Sequence, residues 1–376
     1  VERRDKLGFF SDVDVEPVPT GDPSEMDLRV KVTDKPTGRI GGGAGYSSLD
    51  GPFLAADVTE QNLFGKGYAL GFNGKISERT TAFNANFMNP SLYDTKLGMG
   101  FNAHHNLTDE YTYDIQSTAG SVNFSYPLGE YTNLFWDYTL DYYTIQNVDS
   151  NAAQSVRDEK GGHLNSSGSF TIFRDTVNDN FLPTSGTTNG FSMRMGGGIF
   201  GGDDSYIKYA YDSQWYTSIW NDLVFHWRGH LDYIGNNWDR DHIPLFVRIS
   251  YGGIDNIRGY STGKIAPRDK TTGDVIGGNK GLFTNFELLF PLSREYGVIG
   301  VAFFDAGNTW DEGEMFFDSA ARQGVEGPTL GLYKSVGAGL RWNSPMGSIR
   351  IEYGYGLDEI YDSKRHNIEF TMGQTF

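Results

Sequence analysis

HNIEFTMGQTF, residues His366–Phe376, decides the fold class. Ile368, Phe370, Met372 and Phe376 point to one side of an extended chain, while Asn367, Glu369, Thr371, Gly373 and Thr375 point to the other. This is a strand with an apolar face and a polar face, and the same pattern recurs along most of the chain. A soluble protein rarely builds so many apolar faces without helices to cover them. A transmembrane β-barrel turns each one to lipid and keeps a wet lumen.

Two further strands fix which face is which. In 221–236, Leu223, Phe225, Trp227, Leu231 and Tyr233 alternate with His226, Arg228, His230 and Asp232. In 347–356, Ile349, Ile351, Tyr353 and Tyr355 alternate with Arg350, Glu352 and Gly354. Charged side chains are costly against lipid, so the apolar side must be the outer one. From Arg39 onward the pattern predicts about sixteen strands, at 39–47, 52–61, 66–77, 79–89, 95–104, 112–127, 131–147, 163–176, 188–199, 204–218, 221–236, 282–290, 297–310, 333–343, 347–356 and 366–376. The predicted fold class is all-β, a 16-stranded antiparallel transmembrane β-barrel occupying 37–376.

Composition bounds the alternatives. The chain has 376 residues, 15% aromatic, with 49 Gly, no Cys and a formal charge of −17. These figures alone also suit a soluble β-sandwich or propeller; the alternation decides for the barrel. No apolar run reaches the roughly 18 residues of a membrane helix. The negative charge argues against nucleic acid, whose phosphates it would repel. Lack of Cys is compatible with an oxidising compartment and decides nothing.

The first ~35 residues read differently. Phe9–Glu16 and Met26–Thr33 are alternating strands joined by the turn-rich link Pro17–Ser24, and the charged Val1–Leu7 suits the end of a helix feeding that hairpin. This segment is too short to bury a core alone, so 1–36 is expected to be the end of a small soluble domain. With no signal peptide, Val1 suits a processed or truncated chain. If the hairpin is periplasmic, tight turns at Leu63–Gly65, Pro127–Glu130, Pro291–Tyr296 and Ser344–Met346 share its end of the barrel. The long connections Gln146–Gly162, Asn237–Gly281 and Asp311–Leu332 then lie outside, as barrels of this kind have them.

The connection 237–281 is far longer than ordinary loops and contains Gly252-Gly253-Ile254-Asp255-Asn256-Ile257-Arg258-Gly259-Tyr260. A long loop with a (Val/Ile)-Arg-Gly-(Phe/Tyr) tetrad before the twelfth of sixteen strands resembles the BamA family of outer-membrane assembly factors. Val32–Gly38 resembles the end of that family's last POTRA domain. Arg174-Asp175, then Pro183-Thr184-Ser185-Gly186, the run Phe303–Trp310 and the terminal aromatic add to the resemblance, which covers nearly the whole chain.

The resemblance implies that the loop folds into the lumen and that Arg258 meets acids on the barrel wall. The matching positions are Glu287 and Asp305, and alternation independently lets both face inward. A guanidinium between two carboxylates forms a charge-assisted lock that Lys cannot reproduce. Gly259 would let the backbone bend or approach closely, with Tyr260 completing the tetrad. The residues leave other roles open, as a solvated loop charge or as a brace for barrel integrity. Gly41, Gly42, Gly43 and Gly45 in the first strand, with Gly373 in the last, would weaken closure where the two meet. They relieve crowding at a bend, or they make a lateral gate that templates a client strand by β-augmentation. The resemblance favours the gate, and also implies that Phe370 and Phe376 carry the barrel's own C-terminal assembly signal.

Little points to chemistry. There is no P-loop, G-x-S-x-G or H-E-x-x-H. His226 and His230 stand two strand repeats apart, too far for metal ligation, His104-His105 lies near a loop, and the acid-rich Asn236–Asp241 reads as solvated loop; no metal and no cofactor is expected. The implied function is assembly and insertion of β-barrel outer-membrane proteins, through the seam and local membrane thinning. The implied partners are unfolded precursors, accessory assembly lipoproteins and periplasmic chaperones acting on POTRA domains, and outer-membrane lipid. The alternatives are a two-partner-type polypeptide-secreting transporter and a passive porin.

Overall fold

In the computed structural model the described residues are 10–19, 26–179, 182–220, 222–236, 243–344 and 347–373. Val1–Leu7, most of Asn236–Asp241 and the terminal Phe376 lie outside them. Two strands, β1 (Phe10–Pro19) and β2 (Met26–Asp34), form a separate antiparallel hairpin in which Val13 pairs with Val32 and Val15 with Val30.

Sixteen strands follow and close on themselves. They are β3 (Gly38–Ser47), β4 (Gly51–Leu63), β5 (Tyr68–Ser77), β6 (Thr80–Asn89), β7 (Gly98–Asp109), β8 (Asp114–Pro127), β9 (Thr132–Gln146) and β10 (Gly161–Asp175). The second half comprises β11 (Ser185–Gly196), β12 (Tyr206–Trp220), β13 (Leu223–Gly235), β14 (Lys280–Ser293), β15 (Val298–Trp310), β16 (Tyr333–Ser344), β17 (Gly347–Gly356) and β18 (His366–Gly373). Each is antiparallel to its neighbours, and the barrel closes by β18 against β3. The predicted strands are all present, most within a few residues of the expected bounds.

The facing follows the alternation. On β13, Leu231 and Tyr233 are 40% and 42% exposed, whereas His226 and Asp232 are buried in the lumen. On β17, Ile351, Tyr353 and Tyr355 face out while Glu352 is buried. Among the described residues no helix is long and apolar enough to cross a membrane.

The lumen is not empty. Residues 243–279 fold back into it and bring their own small core: Ile249, Tyr251, Ile257, Tyr260 and Ile265 pack with Phe283 and Tyr333 of the wall. Backbone bonds between Tyr251 and Ile265, and between Ile249 and Gly278, hold this loop as a folded plug. A five-residue helix, α1 (Gln154–Asp158), caps the same end between β9 and β10.

The closing junction differs from its neighbours. β3 pairs with β4 through ten residue pairs and β17 with β18 through eight. Among the described residues, β18 meets β3 through the single pair Thr371 and Ser47. The amide of Ser48 adds a bond to the Phe370 carbonyl at 2.9 Å, and the Phe370 amide donates to Ser48 Oγ at 2.9 Å. On the outer face the rings of Tyr46 and Phe370 stand 6.0 Å apart across the seam.

The glycines expected to weaken this closure do not act alike. A Cβ at Gly45 would lie 2.5 Å from the Met372 carbonyl oxygen, and one at Gly41 would collide with the Asp57 carboxylate. Gly43 has nothing within 4 Å of that position, and Gly42 has only ordinary contact. Gly45→Ala should therefore push β3 from β18 and lower stability by about 1–3 kcal/mol, the usual cost of overpacking. Gly43→Ala should leave it unchanged. Denaturant midpoints of the two variants in detergent check this; equal midpoints would show that Gly45 is not a steric requirement.

Candidate functional site

The plug meets the wall at Arg258, which is 2% exposed. Its Nε and Nη2 donate to the two oxygens of Asp305 on β15, at 2.8 and 2.6 Å, in a fork that only a guanidinium makes. The Arg258 amide also donates to Asp305, at 3.1 Å. Nη1 reaches Glu287 on β14 at 2.6 Å and Glu352 on β17 at 2.8 Å. The guanidinium carbon lies 3.5 Å from the centre of the Phe303 ring, a cation–π contact that closes its remaining face.

The structure thus brings Arg258, Glu287 and Asp305 together and adds a third acid, Glu352. It also adds two cations. Arg341 on β16 donates to Glu287 at 2.6 Å and to Glu352 at 2.7 Å. Arg350 on β17 reaches Glu352 at 3.3 Å and the plug carbonyl of Ile254 at 3.3 Å. Three guanidiniums therefore face three carboxylates, and the cluster is charge-balanced without solvent, the condition for burying so many ions. Asn285 and His226 occupy the remaining lone pairs, on Asp305 at 2.7 Å and on Glu287 at 2.9 Å.

Alternation placed Arg350 and Glu352 inside, but it carries no signal that residues 94 positions apart in sequence, Arg258 and Glu352, are partners. Arg341 was not singled out from the sequence at all.

Gly259 makes this docking possible. Its φ is +88°, in the region that favours glycine, and a Cβ there would lie 2.8 Å from the backbone of Gly354. Gly354 is equally constrained: its own Cβ would lie 2.4 Å from the Gly259 nitrogen. Two glycines thus let the loop backbone lie directly on the wall. Tyr260, fully buried, donates its hydroxyl to the Lys334 carbonyl at 2.8 Å and accepts the Asp358 amide at 3.1 Å.

The other singled-out residues lie elsewhere. His230 sits between Asp212 and Asp232, at 3.0 and 2.9 Å, on the same lumenal face as His226 but with partners of its own. His104 and His105 point to opposite sides of β7, against Ser117 and Thr118. Arg268, on the same long connection as Arg258, is tied instead to the carbonyls of Gly273 and Tyr361.

Removing one member of a buried ion cluster costs about 3–5 kcal/mol, because its partners stay buried and unpaired. Arg258→Ala and Glu352→Ala should both lower stability on that scale and shift heat-modified gel mobility. Asp255→Ala should do neither, since its side chain is 76% exposed and only 3.6 Å from Arg350. A Glu352 variant with wild-type mobility and denaturant midpoint would remove it from the cluster.

A family model described as the Omp85 superfamily domain matches residues 62–376. Outer membrane protein assembly factor BamA of Nitratidesulfovibrio vulgaris is 37% identical over 380 residues, covering 100% of this chain and 46% of that protein. The chain thus spans about half the length of that curated relative. The crystal structure of BamA from Haemophilus ducreyi lacking POTRA domains 1-3 superposes with a TM-score of 0.84 at 22% identity, over 100% of this chain and 77% of that one. CdiB from Acinetobacter baumannii gives 0.61 at 13%, over 98% and 66%. The chain belongs to the Omp85 superfamily, as a sixteen-stranded β-barrel of the outer membrane.

Proposed function

We propose that this barrel assembles and inserts β-barrel outer-membrane proteins, and that its working part is the seam between β3 and β18. The observation that carries this reading is the contrast between ten residue pairs on one side of β3 and a single pair on the other among the described residues. An edge so lightly paired is a template for another strand, and β-augmentation is the chemistry by which an extended precursor is recognised. The precursor's main chain supplies the bonds, so unrelated sequences are accepted. Thinning of the bilayer beside a short, weakly closed edge lowers the insertion barrier further. No covalent step is required.

In this reading β1 and β2 end a periplasmic POTRA domain. Accessory lipoproteins and chaperones deliver precursors through that domain, and the long-loop end faces outward. The plug, docked through Arg258, Gly259 and Tyr260, favours this reading over a passive pore, which would keep its lumen open. The last strand, with Phe370 against Tyr46, carries the barrel's own assembly signal.

The native chain has no Cys, so an engineered pair has no background. In the observed register Thr371 lies opposite Ser47. Ser47→Cys with Thr371→Cys places two thiols on directly paired residues, whose spacing suits a disulfide. The purified protein in liposomes should accelerate folding of several unrelated barrel precursors when reduced, lose at least tenfold of that acceleration on oxidation, and recover with reductant. Full acceleration by quantitatively cross-linked protein would eliminate the seam. Export of one cognate polypeptide, with no acceleration of barrel folding, would overturn the assembly reading in favour of secretion.

A further inference from the structure

At the long-loop end, away from the plug's ion cluster, α1, the start of β10 and the turn before β12 enclose a cavity of about 470 Å³. Its lining includes the carboxylates of Asp158, Glu159, Asp203 and Asp204, one imidazole (His163), and no Lys or Arg among the described residues. Most of these groups are already committed. Glu159 accepts the Leu245 amide, Asp203 the Leu164 amide and Asp158 the Gln154 side chain, while His163 Nε2 is turned to the Glu159 carbonyl.

Asp204 is different. It is 7% exposed, and its Oδ1 accepts the Tyr143 hydroxyl at 2.9 Å, but its Oδ2 has no partner. Ser155 Oγ, also on the cavity lining and shielded from solvent, has none either. Burial pushes the Asp204 carboxyl up to about 6, helped by the charges of Glu159 and Asp203 and opposed by Tyr143 and His163. No Lys or Arg on the cavity lining stands by to pair with it among the described residues.

We propose that this cavity binds a hydrated divalent cation of the calcium or magnesium class, with Asp204 Oδ2 and Ser155 Oγ as its protein oxygens. The donors are oxygens, which hard cations prefer, and His163 turns its Nε2 to the Glu159 carbonyl. No three acidic or imidazole groups among the described residues converge on one point, so water completes the shell. The volume has room for it, at roughly 30 Å³ per water. A site with one carboxylate ligand binds weakly, on the order of 10⁻⁴–10⁻³ M, the range of extracellular calcium modules. Its structural effect is to tie the α1 connection to the turn ahead of β12.

Terbium(III) is the probe, because the Tyr143 ring beside Asp204 sensitises its luminescence. The full chain in detergent at pH 7 should show saturable tyrosine-excited emission that millimolar CaCl2 displaces. Asp204→Asn should weaken terbium binding at least tenfold and Ser155→Ala several-fold. Serine truncation leaves every existing bond in place, so it serves as the folded control if Asp204→Asn is unstable. Equal terbium titrations for wild type and both variants, or for wild type and Ser155→Ala where only that variant folds, would mean that cations associate only with the acidic surface, and would overturn the site.

Discussion

The fork between Arg258 and Asp305 is the constraint on which the lumen depends, because a guanidinium can be buried there only if acids from several strands converge on it. Glu287, Asp305 and Glu352 come from β14, β15 and β17, and Arg341 and Arg350 from β16 and β17. Such a cluster is a poor source of net stability, since desolvating the ions offsets much of their attraction. It is better suited to fixing register. The apolar contacts of Tyr251, Ile257, Tyr260 and Ile265 supply the burial that holds the plug in the lumen. The ion cluster then permits one seating, because a shift of one residue would leave buried charges unpaired.

That seating is asymmetric around the barrel. Every strand that contributes a charge to the Arg258 cluster lies in the C-terminal half, and Gly259 rests on β17. Toward the N-terminal half the plug instead faces a cavity of about 780 Å³, bordered by Asp50, Arg79, Thr80 and Thr108. The seam therefore lies between β14–β17, tied to the plug through the ion cluster, and β3 and its neighbours, which contribute no charge to that cluster among the described residues.

The barrel was legible in the sequence because a period of two is local: each strand, β13 or β17, declares its own lumenal and lipid faces. Arg258, Glu287 and Asp305 became candidates through a motif resemblance, and alternation allowed the two acids to face inward. Glu352 and Arg341 escaped because ion pairing across a barrel depends on the relative stagger of distant strands, which no local pattern encodes. The same reason hid the pairing of Ser47 with Thr371. The glycines of β3 illustrate the limit differently: Gly43 and Gly45 look identical as letters, yet only Gly45 faces the backbone of Met372.

The two lines of constraint meet at Glu352. Directly across from it on β18 stands Glu369, 1% exposed, and two carboxyls at directly opposed positions would repel if both were ionised. Glu352 is neutralised by Arg258, Arg341 and Arg350. Glu369 receives only the Asn367 side chain at 3.2 Å, and its Oε2 has no partner. The polar satisfaction of the lumen is thus complete at the lock and incomplete one strand further on. The unfavourable term falls on the terminal strand, which has eight paired residues on one side and a single bridge on the other among the described residues. The buried acid left unsatisfied beside the lock thus sits on β18, the barrel strand with the fewest paired residues among those described.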